Sequence, residues 1–204
     1  MGNSLVFNSE GIRLGTMEST YRQVPCLKCP FDYVLYQKII FDLEPDLIIE
    51  IGTHHGGSAL YMADLLDIIQ KGTVHTIDVH DIISDKVRSH ARIKNFIGGW
   101  ENYDLKNAEG FKTVLIIDDG SHMYQDVLGA LNKFNNLIAQ GSYFIIEDGI
   151  IDDWGLKEKY EGAPLKAIDE FIATNGNFEV DRSLCDFYGT NTTWNVNGYL
   201  KRIK

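Results

Sequence analysis

Two pairs of adjacent carboxylates pose the chemical question in this chain. Asp118-Asp119 follows the apolar run 114–117, and Glu147-Asp148 follows the apolar run Tyr143–Ile146. Carboxylates gathered at one point repel each other unless a cation stands among them, and all-oxygen donors suit a hard divalent ion. The pairs therefore read as a divalent-metal site, provided the fold brings them together.

The residues between them supply the means. Met123, Val127, Leu128, Leu131, Phe134, Leu137 and Ile138 recur at helical spacing, so 122–140 reads as an amphipathic helix. Strand, crossover helix and strand form a right-handed parallel unit, which delivers both carboxylate pairs to the same edge of one sheet. Open α/β sheets bind ligands beyond that edge.

The remaining elements extend the pattern. Residues 1–29 show no sustained period and are expected as an arm or cover over a core of 30–204, the whole of 1–204 forming one domain. Pro30 and Asp32 can start a helix with an apolar face of Tyr33, Leu35, Ile39, Ile40 and Leu43, stopped at Glu44-Pro45. Leu47–Ile51 reads as a strand, 57–70 as a helix, and 74–77 as a second strand closing on Asp78. A polar helix over 82–92 and a third strand at Ile93–Ile97 follow. Beyond the organising unit come an acidic loop over 151–162, a helix over 164–174 and a closing antiparallel pair, 178–185 and 192–200. Alternating strands and helices with a final antiparallel pair mean a doubly wound α/β sheet.

The first strand–helix turn, Glu50-Ile51-Gly52-Thr53-His54-His55-Gly56-Gly57-Ser58, lies where a nucleotide-type ligand crosses the sheet edge. Its spacing is G-x-x-x-G-G, not the G-x-G-x-x-G that serves a pyrophosphate. Glu50, two places before Gly52, would repel phosphate but suits an ammonium or sulfonium. Asp78, at the end of the second strand, can accept from both hydroxyls of a ribose. An acidic adenosine site without phosphate points to S-adenosylmethionine, with Glu50, Gly52, Thr53, Gly56, Ser58 and Asp78 as its candidate contacts.

Bulk properties narrow the partners. With 29 acidic against 19 basic residues the formal charge is −10, which argues against a general nucleic-acid binder. No apolar run approaches a membrane span, and residues 1–15 lack the pattern of a signal peptide. Gly2 begins a myristoylation-like pattern, but Val6 stands where Ser or Thr is required. Cys26 and Cys29 form a lone CLKC and Cys185 is remote, so all three are expected as plain thiols in a cytoplasmic protein. His54 and His55 are expected as polar contacts beside the turn, and His75, His80 and His90 as unpaired surface residues. Trp100 and Tyr103 are candidates to stack on adenine, Tyr124 and Trp154 to line a substrate mouth.

These motifs resemble the cephalosporin hydroxylase-like family of class I, Rossmann-like methyltransferase folds, and are similar to the metal-dependent O-methyltransferases of macrolide sugars. The likeness runs through CLKCPFDYVLYQKIIFDLEPDLIIEIGTHHGGSALYMADLL, IDVH, IDDGSHMYQDVLGAL, GSYFIIEDG and NGYLKR; its most specific part is D-x-x-H followed by E-D after the next strand. The resemblance implies a seven-stranded, mostly parallel sheet in the order 3-2-1-4-5-7-6, S-adenosylmethionine, Mg²⁺ and a homo-oligomer. It also implies Asp119, Glu147 and Asp148 as metal ligands and His122 as general base at a helix N-terminus. Asp118, pointing away from Asp119, would stand behind them. The expected activity is O-methylation of a small polyhydroxylated acceptor, a sugar unit or secondary metabolite. A hydroxylase or oxidoreductase component working with a partner, and a non-catalytic binding module on the same fold, are the competing readings. Against the former, the chain lacks a dinucleotide fingerprint and a placeable His-His-carboxylate set for non-haem iron.

Overall fold

The structure, a computed structural model, describes residues 8–204, so the first seven residues of the expected arm, Gly2 and Val6 among them, lie outside it. The rest of that arm is regular. Helix α1 (Ser9–Met17) is capped by Asn8, whose side chain accepts from the Gly11 N–H, and a hairpin of β1 (Thr20–Tyr21) and β2 (Val24–Pro25) follows. Strands of two residues are too short for a period to register. The hairpin is pressed against the core: a Cβ on Gly57 would stand 2.2 Å from the Pro25 carbonyl oxygen.

From there the chain runs α2 (Pro30–Leu43), β3 (Leu47–Ile51), α3 (Gly57–Ile69), β4 (Thr73–Asp78), α4 (Asp85–Arg88), β5 (Ile93–Ile97), β6 (Val114–Asp118), α5 (Tyr124–Phe134) and β7 (Tyr143–Ile146). It ends with α6 (Ala163–Thr174), β8 (Phe178–Val180), α7 (Arg182–Cys185) and β9 (Tyr199–Arg202). Seven strands form one sheet in the order β5-β4-β3-β6-β7-β9-β8, which is the expected 3-2-1-4-5-7-6. β3 to β7 are parallel, and β9 runs antiparallel to β7 and β8.

The pleat divides the core into two layers. Ile48, Leu115, Ile117 and Ile145 pack with Leu35, Tyr36 and Leu60 of α2 and α3. Ile49, Ile116 and Phe144 pack with Leu131, Phe134 and Phe171 of α5 and α6. Strands covered on both faces are buried throughout and mostly apolar, Glu50 in β3 and Asp118 at the end of β6 being the charged exceptions.

Several expected elements are shorter than their patterns. The helix expected over 122–140 is α5 alone, followed by a 3-10 turn at Asn135–Leu137. Its start is delayed by a turn in which Ser121 Oγ accepts from the Met123 N–H, and its end is capped by the Asn135 amide on the Leu131 and Asn132 carbonyls. Only α4 forms within 82–92. The strand expected over 178–185 stops at Val180, because Asp181 accepts from the Ser183 N–H and starts α7. The last strand begins at Tyr199 rather than 192, since Asp32 holds 193–194 in a loop by accepting from Thr193 Oγ1 and the Trp194 N–H. Among the described residues no helix is long and apolar enough to cross a membrane.

Candidate active site

The carboxyl ends of β3, β4 and β6 open on a cavity of about 490 Å³ whose walls include Gly52, Asp78, Gly99, Trp100, Asp118 and Asp119. Gly52 is dictated by topology as much as by any ligand. Its φ is +93°, and a Cβ there would stand 2.0 Å from the Asp119 carbonyl oxygen, so only glycine lets the two strand tips pass. Asp78 sits at the cavity wall, its carboxylate accepting from the backbone N–H groups of Thr53 (2.9 Å), His54 (2.8 Å) and His80 (2.9 Å). Trp100 faces the cavity, whereas Tyr103 is core: it lies at 2.7 Å from His75 Nδ1 and packs edge-on against Phe96.

Glu50, Thr53 and Ser58 do not stand on the cavity wall. Glu50 shares a sheet face with Ile48, is fully buried, and accepts from Ser58 Oγ and from Thr76 Oγ1 (2.6 Å). Thr53 Oγ1 bonds Thr76 Oγ1 (2.6 Å), and Gly56, in a left-handed turn, closes the loop against Val87. These residues hold the turn from beneath. Burial pushes the Glu50 carboxyl up to about 6 although Lys28, Ser58 and Thr76 oppose it.

One step along the edge the carboxylate pairs meet, but they do not all face the same way. Asp119, His122 and Asp148 each bring a ligand atom to within 4.8 Å of the others. His122 Nε2 lies 3.4 Å from Asp148 Oδ2 and 3.8 Å from Asp119 Oδ1. Both His122 (φ +59°) and Asp148 (φ +60°) adopt the left-handed conformation, which turns each side chain out of its strand's alternation. His122 precedes α5 by two residues, so it sits in the turn and not on the helix. Burial, reinforced by the Asp119 charge, pushes the Asp148 carboxyl up to about 6, the mark of a pocket short of positive charge. Burial, helped by the charges of Asp119 and Asp126, also lifts Asp118, to about 7, while the Gly120 N–H it accepts from works the other way.

Glu147 turns to the opposite face. It follows Tyr143 and Ile145 onto the α2 side of the sheet, where its Oε1 accepts from Lys28 Nζ (2.5 Å) and Tyr36 OH (2.6 Å). Lys28 also reaches Asp119 Oδ2 (2.5 Å) and is only 3% exposed. Burial would lower its pKa; Asp119, Glu147 and Glu50 outweigh that and hold the ammonium charged, well above its ordinary value. The three-carboxylate ligand set expected from the sequence is therefore divided in this structure: Asp119 and Asp148 face His122, and Glu147 is tied to Lys28.

The donor set fits a hard cation. Two carboxylates converge in a half-buried pocket beside a cofactor-sized cavity, and they share Asp119 with it. Residues 15–203 match the family described as rhamnosyl O-methyltransferase/CmcI. The chain belongs to this family. A rhamnosyl O-methyltransferase of Mycobacterium leprae (strain TN) is 28% identical over 194 residues, 90% of this chain and 83% of that protein. One of Mycobacterium bovis (strain BCG / Pasteur 1173P2) is 29% identical over 164 residues, 76% of this chain, which spans just under two thirds (66%) of that protein. A structure of CmcI described as its Mg–SAM form superposes with a TM-score of 0.70 at 23% identity, covering 92% of this chain and 78% of that one, and shows the shared fold.

Within that family fold, the residues that sequence patterns missed come from the segment around Lys28 and from the C-terminal loop. Lys28 lies inside the CLKC motif, where the cysteines drew attention; both are buried free thiols, while the lysine between them enters the site. Tyr36, on α2, donates to Glu147 Oε1, and Asn195 donates to Tyr36 OH (3.0 Å). Tyr160 packs edge-on over His122, with ring centroids 6.1 Å apart, in the position expected for Tyr124 or Trp154. Those two turn away: Tyr124 OH bonds Glu170 (2.5 Å), and Trp154 packs on Trp194. Two histidines expected at the surface are also corrected. His75 is 1% exposed, its pKa pushed down to about 4 by burial, and His90 lies 3.3 Å from Asp64. One signal was available: strand alternation puts Glu147 on the face of Tyr143 and Ile145, the side covered by α2.

Proposed function

We propose that this chain is an S-adenosylmethionine-dependent O-methyltransferase that uses Mg²⁺ and acts on a hydroxyl of a small polyhydroxylated acceptor, a sugar unit or a secondary metabolite. The observation that carries the reading is the convergence of Asp119, His122 and Asp148 against the mouth of the cavity at the switch edge of the sheet. The family match and the rhamnosyl O-methyltransferase relatives support the same chemistry and favour a sugar hydroxyl as acceptor.

When bound, S-adenosylmethionine supplies an electrophilic methyl group and Mg²⁺ orients and acidifies the acceptor hydroxyl. The chain's own residues do the rest. Asp119 and Asp148 would hold the cation, with Glu147 as the third carboxylate of the cluster. A hard ion prefers their oxygens to imidazole nitrogen, which leaves His122 Nε2 free to take the acceptor's proton. Tyr160 packs edge-on against one side of the imidazole. Gly52 allows close backbone approach to the cofactor, Trp100 offers an aromatic wall, and Asp78 stands where ribose hydroxyls would meet a carboxylate. Glu50, Thr53, Gly56 and Ser58 shape that turn from below.

The test is a melting-temperature shift with S-adenosylmethionine, S-adenosylhomocysteine or NAD(H), each with and without Mg²⁺, since a selective ligand stabilises by mass action. Stabilisation by the first two is expected, and stabilisation by NAD(H) alone would overturn the reading. The reading extends to a cytoplasmic homo-oligomer: three cysteines left as free thiols support the compartment, and the family resemblance supports the assembly, which light scattering on the purified protein checks.

A further inference from the structure

We infer that Gly129 and Lys133 of α5 are positioning residues that seat the Trp100 indole as the wall against which the cofactor's base lies. The inference rests on the S-adenosylmethionine reading above. It adds two residues that belong neither to the glycine turn nor to the D-x-x-H and E-D pattern.

Geometry carries the argument. Trp100 stands on the wall of the cavity at the strand ends, in a 3-10 turn (Trp100–Asn102) that follows β5. The near side of that turn is tied to β4, where the Gly98 and Gly99 N–H groups donate to the Asp78 carbonyl at 2.9 and 3.1 Å. Both glycines have positive φ, +112° and +80°, so the approach to Trp100 does not itself fix where the ring points. α5 does. A Cβ on Gly129 would stand 2.5 Å from Cη2 and 2.9 Å from Cζ2 of the indole, so the ring lies directly on the bare helix backbone. One turn further on, Lys133 Nζ donates to the Trp100 carbonyl (3.0 Å) and to the Glu101 carbonyl (2.7 Å). One turn before, Asp126 lines the same cavity. Positions 126, 129 and 133 share one stripe of the helix, which thus meets the cavity, the ring and the ring's own main chain in succession.

Glycine is the poorest helix former after proline, so its place in the middle of α5 runs against local preference. The close approach of the indole supplies the reason. A methyl group at 129 would force the ring to tip or shift, because a packed contact at that distance cannot absorb an added carbon. A base stacks on an aromatic face at a set separation, so a displaced indole presents a poorer wall. α5 begins two residues after His122, and the helix that follows the His122 turn therefore also seats the cofactor wall.

The experiment measures S-adenosylhomocysteine affinity by isothermal titration calorimetry on the purified full chain, with tryptophan fluorescence and thermal melts alongside. The proteins are wild type, Gly129→Ala, Lys133→Met, Trp100→Ala and the double variant Gly129→Ala/Trp100→Ala. Gly129→Ala should bind S-adenosylhomocysteine about tenfold more weakly. Its fluorescence change at saturating ligand should fall to about half that of wild type or less, and the change should be lost in Trp100→Ala. A residue that serves only the fold would move the melting temperature and neither of these readings. With Trp100→Ala in place, Gly129→Ala should alter affinity by less than about twofold, because the ring it displaces is gone. Lys133→Met leaves the ring contact untouched and should weaken binding about threefold, so it decides the matter if Gly129→Ala does not fold. Unchanged affinity in Lys133→Met, in Trp100→Ala or in a folded Gly129→Ala would overturn the inference, as would a tenfold loss that persists on the Trp100→Ala background. Failure of the wild type to bind S-adenosylhomocysteine at all would instead remove the cofactor reading.

Discussion

Among the described residues, two groups of two carboxylates and a histidine bring their ligand atoms within 4.8 Å of one another: Asp64, Asp67 and His90, and Asp119, His122 and Asp148. By inventory they are alike; by surroundings they are opposites. The first lies on the flank of α3, where Arg22 grips both Asp64 oxygens at 2.8 and 2.9 Å, Tyr21 OH donates to Asp64, and Arg92 Nε pairs with Asp67. Its charge is already answered. Burial would raise the Asp64 carboxyl, and the bonds from Tyr21, Arg22 and His90 more than cancel that and hold it below its ordinary value. The second lies beyond the strand tips, and the ammonium close to it among the described residues, Lys28, is shared with Glu147. There burial and neighbouring charge push Asp148 up to about 6. A set of ligand-type residues becomes a candidate cation site when the fold withholds its counter-charge, and a surface ion-pair network when the fold supplies it.

The comparison breaks most readily at the histidines. His122→Ala should lower turnover by about 10³-fold with the fold intact, whereas His90→Ala should leave turnover at the wild-type level. Equal effects would erase the distinction. Asp148→Asn should weaken Mn²⁺ binding on the order of 100-fold and Asp67→Asn should not change it, as titrations followed by electron paramagnetic resonance would read.

Beneath the first strand–helix turn, Glu50 titrates in the opposite sense to Asp64. The folded pKa of Glu50, about 6, lies above its ordinary 4.5, so the folded state holds the proton more tightly. Stability contributed this way is present at low pH and is lost as pH rises from about 4.5 through about 6. Urea melts of metal-free protein should therefore show Glu50→Gln removing a gain of ~2 kcal/mol between pH 7 and pH 4.5. Asp64, held below its ordinary 3.8, contributes stability above that value which is lost as pH falls further. The smallest effect belongs to Arg22→Ala: the guanidinium is 49% exposed, so its loss should cost under about 1 kcal/mol and leave Mn²⁺ affinity unchanged.

Local pattern made most of the scaffold legible. Mostly apolar runs marked β3, β6 and β7, the amphipathic repeat marked α5, and handedness placed both carboxylate pairs at one edge. Short elements were not legible, because a two-residue strand such as β1 or a four-residue helix such as α4 has no period to detect. His75 was misplaced for a related reason: a polar residue on an edgeward strand is buried only if aromatic neighbours such as Phe96 and Tyr103 happen to enclose it.

The amino-acid sequence alone determined that Asp118-Asp119 and Glu147-Asp148 finish at the same sheet edge, because strand, helix and strand admit one handedness. Only the tertiary structure decided which carboxylates meet. Side-chain direction at a strand's end depends on backbone turns such as the left-handed Asp148. The ammonium that divides the cluster arrives from 91 residues before Asp119 and 119 before Glu147. Counter-charge is a long-range contact, and no local spacing encodes it.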